Sequence, residues 1–178
     1  MYKKLTISKL DVVKRQLETV IRLYFSNGDP VSIHTLTAAA YNVIRDINDK
    51  RGGEPLLVKE QFLDYIKEDH KEEVRKKINK AENFFKHAIR DHDSTIVFNP
   101  DESEMLILEA CTTYFKLSGE FPPLFKLIQA WIIANNPDLY TFPEEIGKIM
   151  LEGSRDAVSL GREGYFNTYL PLISRVNT

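Results

Sequence analysis

Four consecutive residues, Asn27-Gly28-Asp29-Pro30, constrain the fold more than any other part of this sequence. An Asn-Gly pair at the end of a helical pattern is typical of a helix C-terminus, because both residues tolerate a left-handed backbone. Asp followed by Pro is typical of a helix N-terminus, since the carboxylate caps free N–H groups and proline suits the first helical position. So short a connection predicts an antiparallel hairpin of two helices.

Apolar residues recur at intervals of three and four along most of the chain, which is the pattern of amphipathic helices. Ser8 is placed to cap the first helix, and Asn99-Pro100 opens a later helix that Gly119 ends. Only residues 95–98 have the composition of a strand, and so short a segment favours a loop or a small ribbon. We therefore predict an all-α fold, a bundle of six to eight helices with an N-terminal helix hairpin, in a single domain over 1–178.

Composition narrows the class of protein. With 178 residues, 43% of them hydrophobic and 28% charged, the chain is typical of one globular domain. A single cysteine, Cys111, excludes an internal disulfide and fits a reducing compartment. No apolar run reaches the ~20 residues of a membrane-spanning helix, and the first residues lack a secretory signal, so we expect a cytoplasmic protein without a membrane partner. The net charge of −2 leaves room only for a local nucleic-acid-binding patch.

The densest group of chemically capable side chains lies in the segment Asn79–Asp93. Its periodicity predicts the end of one long helix. On a 3.6-residue repeat, one polar stripe is predicted to contain Asn79, Asn83, His87 and either Arg90 or Asp91. An apolar stripe beside it is predicted to face the core and consists of Ala81, Phe85, Ala88 and Ile89. The polar stripe is therefore expected at the edge of the buried face, next to a groove or a partner.

These polar residues can also be explained by purely structural roles, with no binding or catalysis. Polar side chains at the margin of a core often hydrogen-bond to neighbouring helices, and the helix dipole favours His87 near a helix C-terminus. His34, in the first turn of the second helix, has the same two interpretations. It either packs between helices with one nitrogen bonded to a carbonyl or hydroxyl, or it faces His87 across a crevice.

The segment Glu82-Asn83-Phe84-Phe85-Lys86-His87, in an all-α chain that begins with a helix hairpin, resembles the HEPN superfamily of helical bundles. In ribonuclease members an Arg, a polar residue, three variable residues and a His lie on one helix, and two copies usually face each other across a dimer. Asn83 and His87 match this pattern, whereas Glu82 occupies the place of the Arg. The resemblance implies a homodimeric binding or regulatory module with an RNA or protein partner. The remainder of the chain is similar to small bacterial helical proteins, which implies no particular activity.

Two enzymatic alternatives use the same segment, so the sequence leaves open whether the protein is an enzyme. A ribonuclease is predicted to use Asn83, His87 and Arg90, with the imidazole moving a proton and a cation stabilising charge on phosphate. The Glu82 carboxylate would repel that phosphate. A metal-dependent hydrolase is predicted to bind its ion through His87 and Asp91, spaced i,i+4, with a third ligand from His92 or Asp93 in the following loop or from His34 on the second helix. The sequence identifies no other cofactor.

Overall fold

The fold is an all-α bundle, seen in a computed structural model that describes residues 4–89, 92–137 and 155–175. The described residues form no β-strand, and 94–99 is a loop, as predicted. In chain order, the helices with described bounds are α1 (Lys9–Phe25), α2 (Pro30–Lys50), α3 (Phe62–Asp64), α4 (Glu68–Ile78), α5 (Lys80–Lys86), α6 (Glu102–Ser118), α7 (Pro123–Asn135) and α8 (Gly161–Arg175), and residues 155–159 are also helical. A π-helical turn, Leu57–Gln61, leads directly into α3.

The N-terminal hairpin begins and ends where the local signals predict. The Ser8 hydroxyl accepts a hydrogen bond from the Asp11 N–H at 3.1 Å, and the Asp11 carboxylate accepts one from the Ser8 N–H at 3.1 Å. After α1, Asn27 takes a left-handed backbone with φ of 53°. The Asp29 carboxylate then accepts from the Ser32 N–H at 2.7 Å, with Pro30 at the first helical position. Each of these predicted caps is confirmed.

The hydrophobic core lies between α1, α2, α6 and α7, which pack against one another. Helix α8 packs against α7 and α1, and α5 packs against α2. The largest fully buried side chains include Leu17, Ile21, Phe25, Tyr41, Ile107 and Phe125. This four-helix core is the scaffold, and α4 and α5 are additions to its flank.

The prediction of one long helix through Asn79–Asp93 was wrong. Helix α4 ends at Ile78, α5 ends at Lys86, and His87 already has an extended backbone with φ of −135°. The Asn79 side chain donates to the carbonyl of Arg75 at 2.9 Å, a local bond that competes with regular helix geometry. Ala81 is buried as predicted, but Ile89 is 92% exposed, because the segment leaves the bundle after α5.

The π-helical turn is held in place by a carboxylate from α6. Glu109 accepts hydrogen bonds from the N–H groups of Leu57 and Val58, the latter at 3.0 Å, and from the Tyr41 hydroxyl at 2.7 Å. The first N–H groups of any helix lack intrahelical partners, so Glu109 replaces a local cap. This anchor directs the next residue, Lys59, into the bundle, where it is 6% exposed.

Candidate functional site

An open recess of ~750 Å³ lies beside α5 and the loop that follows it. Its lining consists of Lys76, Lys80, Asn83, Phe84, His87, Ile89, Ser94 and Thr95, and we call it the Asn83 recess. None of these described lining residues is acidic. Two ammonium groups, an imidazole, an amide, two hydroxyls and an aromatic ring thus surround one open volume. That chemistry suits an anionic ligand with polar edges and flat rings.

The structure brings together two of the residues predicted for the site. Asn83 and His87 both line the Asn83 recess and are exposed, although His87 lies just beyond the end of α5. Arg90 and Asp91, predicted as a catalytic cation and a metal ligand, lie outside the described residues. Asn79 lines a different recess, because the break between α4 and α5 turns it away from the others.

His34 takes no part in lining the Asn83 recess. It is 3% exposed, and its Nδ1 lies 3.0 Å from the Oγ of Ser103 on α6. The ring contacts Phe85 and Phe98 edge-on, at centroid distances of 5.7 and 5.0 Å. This is the packed, hydroxyl-bonded arrangement of the structural interpretation. Through Phe85, the histidine attaches α5 to α2.

The described part of the chain supplies no set of ligands that would support the predicted metal site. Within these residues, no group of three or more His, Cys, Asp or Glu lies close enough together to hold an ion. The hypothesis that pairs His87 with Asp91 stays a prediction, since Asp91 is not described.

Glu82, at the place that the HEPN resemblance gives to Arg, faces the interior. Its carboxylate accepts hydrogen bonds from the ammonium groups of Lys59 and Lys86, the latter at 2.8 Å, and from the Asn42 amide at 2.5 Å. Burial raises the pKa of Glu82, but the bonds and charges of Lys59 and Lys86 outweigh burial and lower that pKa to about 2. The carboxylate is therefore ionised and neutralised internally. The expectation that it repels phosphate does not hold for this geometry.

Sequence reasoning missed a second recess, of ~310 Å³, on the other side of α4. Its lining consists of Arg45, Lys59, Glu60, Leu63, Asp64, Lys71, Arg75 and Asn79, and we call it the Arg75 recess. Two signals point to it. Lys71, Arg75 and Asn79 follow one another at i,i+4 on a single helix face, and Lys59 is the first charged residue after the apolar run 56–58.

The burial of His34 predicts a pH-dependent stability. Burial, together with the charge of Lys59, lowers the pKa of His34 below its ordinary 6.5, although the charge of Glu82 opposes this. The unfolded chain therefore takes up the proton first, and stability is expected to fall as pH decreases through about 6.5 towards the lowered folded pKa. Urea unfolding at about pH 7.5 and about pH 5.5 should show a larger loss for wild type than for His34→Gln. An equal loss in both would contradict the prediction, and exposed His70→Gln is the matched control.

The described residues thus define an all-α bundle. Beside α5 it carries a basic recess, and no described residue in the lining of that recess is a carboxylate. Among its described helices, none is both long and apolar enough to cross a membrane. No family model, curated protein or solved structure matches the chain.

Proposed function

We propose that the protein is an RNA-binding module that holds a single RNA strand in the Asn83 recess. The observation that supports this most is the combination of cations, an amide and an aromatic ring in a lining without a described carboxylate. Lys80 has no described carboxylate within ion-pair distance. Lys76 has only a long surface contact of 3.7 Å with Glu72, and such exposed pairs are weak. Both ammonium groups are thus available to a phosphate chain.

The other lining groups match the bases of a single strand. Proteins bind single-stranded nucleic acid by placing cations along the backbone and stacking bases on aromatic side chains. Phe84 supplies a half-buried ring, and the exposed Asn83 amide has both donors and an acceptor for the edge of an unpaired base. The small extent of this patch agrees with the chain's net charge of −2.

Binding without cleavage fits the described geometry better than ribonuclease activity. Catalysis by His87 would need a partner that orients the imidazole and a cation placed on the reacting phosphate. No described side chain hydrogen-bonds to the His87 ring, and the place of the HEPN arginine holds the internal carboxylate of Glu82. The ribonuclease that uses Asn83, His87 and Arg90 remains the alternative.

Fluorescence anisotropy with a labelled oligouridylate of about 12 nucleotides tests the proposal. The double variant Lys76→Gln/Lys80→Gln is expected to bind about tenfold more weakly, with a log K against log salt slope shallower by about 1.4, because two phosphate contacts are lost. Phe84→Ala is expected to weaken binding by about 1–3 kcal/mol through the lost stack.

Lys77→Gln is the matched control, because Lys77 is exposed on α4, pairs with Glu73 at 2.8 Å and lines neither recess. Equal affinities for the double variant and this control would contradict the proposal. A DNA strand of the same length measures the preference for RNA. RNA recovered intact after incubation supports binding alone, whereas shortening that His87→Ala abolishes would favour the ribonuclease.

A homodimer and a cytoplasmic location stay predictions from the sequence. Light scattering tests the first directly, since one chain has a mass of 20.6 kDa. A mass of twice that value in the absence of RNA would support a dimer, and the mass of one chain would contradict it.

A further inference from the structure

We infer that the Arg75 recess is a binding site for a phosphate monoester, separate from the RNA strand proposed for the Asn83 recess. Four cationic side chains from three different segments line this one small volume. Arg45 comes from α2, Lys59 from the π-helical turn, and Lys71 and Arg75 from successive turns of α4. Their convergence depends on tertiary packing rather than on one charged run of sequence.

Cations outnumber carboxylates at the recess. The carboxylates that pair with the four cations are Asp46, Glu68, Glu72 and Glu82, and none of them lines the recess. The recess itself contains only two described carboxylates, Glu60 and Asp64. Glu60 is held in place by the Leu56 N–H, from which it accepts at 2.7 Å. Within the described lining, four cations thus face two carboxylates, and each cation also pairs with a carboxylate that lies outside the recess.

Arg45 and Arg75 still have N–H donors that can bind a ligand. Arg75 bonds to Glu72 through Nη1 alone at 2.9 Å, and Arg45 bonds to Asp46 through Nη2 alone at 2.9 Å. A guanidinium has five N–H donors, so a planar pair of donors can still bind two phosphate oxygens. Both partner carboxylates are mostly exposed, and pairs of that kind are weak and screened by salt.

Lys59 has a different role. Its ammonium group is buried and bonded to Glu82, and it lies 5.2 Å from the centre of the Tyr41 ring. Lys59 is therefore held at the base of the recess by its pair with Glu82, and Arg45, Lys71 and Arg75 are left as the cations that reach a ligand. Like charges brought together repel one another in the free protein, and a bound anion removes that repulsion.

Charge and size favour a phosphate monoester over other anions. A monoester has a charge of about −1.5 to −2 at neutral pH and three acceptor oxygens, whereas each diester of an RNA backbone has one charge. The volume of ~310 Å³ admits a phosphate and a small organic group, with the Asn79 amide and the Leu63 side chain at the margin. The same group occurs on a free mononucleotide and at the phosphorylated end of an RNA strand.

Calorimetric titration of the whole chain with uridine monophosphate, with uridine as the unphosphorylated control, tests the inference. The monophosphate is expected to bind and uridine is not. Arg75→Gln is expected to weaken binding about tenfold or more, because a bidentate charged contact is lost. Lys77→Gln, two residues further along α4 at a position that lines neither recess, is expected to change binding less than about twofold. Arg75 is exposed on α4, a helix without buried residues, and circular dichroism verifies that the variant folds.

Equal binding of uridine and its monophosphate, or equal effects of Arg75→Gln and Lys77→Gln, would overturn the inference. Oligouridylates with a 5′-phosphate and a 5′-hydroxyl distinguish the two sources of the ligand. A preference for the phosphorylated end that Arg75→Gln abolishes supports a strand terminus, and binding of the mononucleotide without that preference supports a free monoester. Lys76→Gln/Lys80→Gln should leave monophosphate binding unchanged, so this inference and the RNA proposal can fail separately.

Discussion

Glu82→Gln is expected to destabilise the protein by about 3–5 kcal/mol, the usual result of breaking a buried ion pair from one side. The Lys59 side chain is 4% exposed and the Glu82 side chain 10% exposed, so the remaining ammonium could not be solvated in place. A glutamine has only one acceptor oxygen, so Lys59, Lys86 and Asn42 cannot all keep their hydrogen bonds. Because these bonds link α5 to α2 and the π-helical turn, we expect α5 to detach before the four-helix core unfolds.

Urea unfolding followed by circular dichroism measures the loss, and Glu73→Gln is the matched control. Glu73 pairs with Lys77 at 2.8 Å on the exposed face of α4, and a surface pair contributes about 0–1 kcal/mol. Replacement of both partners, as in Lys59→Met/Glu82→Leu, is expected to restore much of the stability, because no charge is left buried. A loss below about 1 kcal/mol for Glu82→Gln would show that water reaches Lys59 and would contradict the buried pair.

Trp131→Ala is expected to cost about 3–5 kcal/mol, through lost burial and the cavity left behind. Trp131 is 5% exposed and packs against Phe25 and Tyr165 at centroid distances of 5.8 and 4.9 Å. Its Nε1 donates to the Tyr24 hydroxyl at 3.0 Å. These contacts join α7 to both α1 and α8, so the variant should loosen the C-terminal helix as well as the core.

Two further variants separate the contributions at this position. Trp131→Phe keeps an aromatic ring but not the N–H donor, and we expect a smaller loss than for Trp131→Ala. Leu172→Ala, on the exposed side of α8, is expected to change stability by no more than about 0.5 kcal/mol. Similar losses for Trp131→Ala and Leu172→Ala in urea unfolding would contradict the role of Trp131 as the centre of this contact.

Local sequence signals predicted the backbone of the fold well and the candidate site only in part. The caps at Ser8 and Asp29 were predictable, because a cap involves residues within one helical turn of one another. Asn83 and His87 were expected to lie close together and do line one recess, but His87 reaches it from an extended backbone just beyond α5 rather than from the predicted helix. The end of α5 was not predictable. Ala88 and Ile89 are compatible with a helix, but in the structure they are non-helical and exposed, because the bundle has no surface for them to pack against.

The sequence by itself determined an all-α chain, the bounds of its N-terminal hairpin and the chemical types of the side chains near α5. Only the tertiary structure decided that Glu82 faces Lys59 and that four cations meet at the Arg75 recess. The physical reason is the range of the interactions. Capping and helical periodicity act between residues a few positions apart. The π-helical turn that carries Lys59 is instead held by Glu109, which lies about 50 residues further along the chain and bonds to Leu57 and Val58 only once the helices have packed.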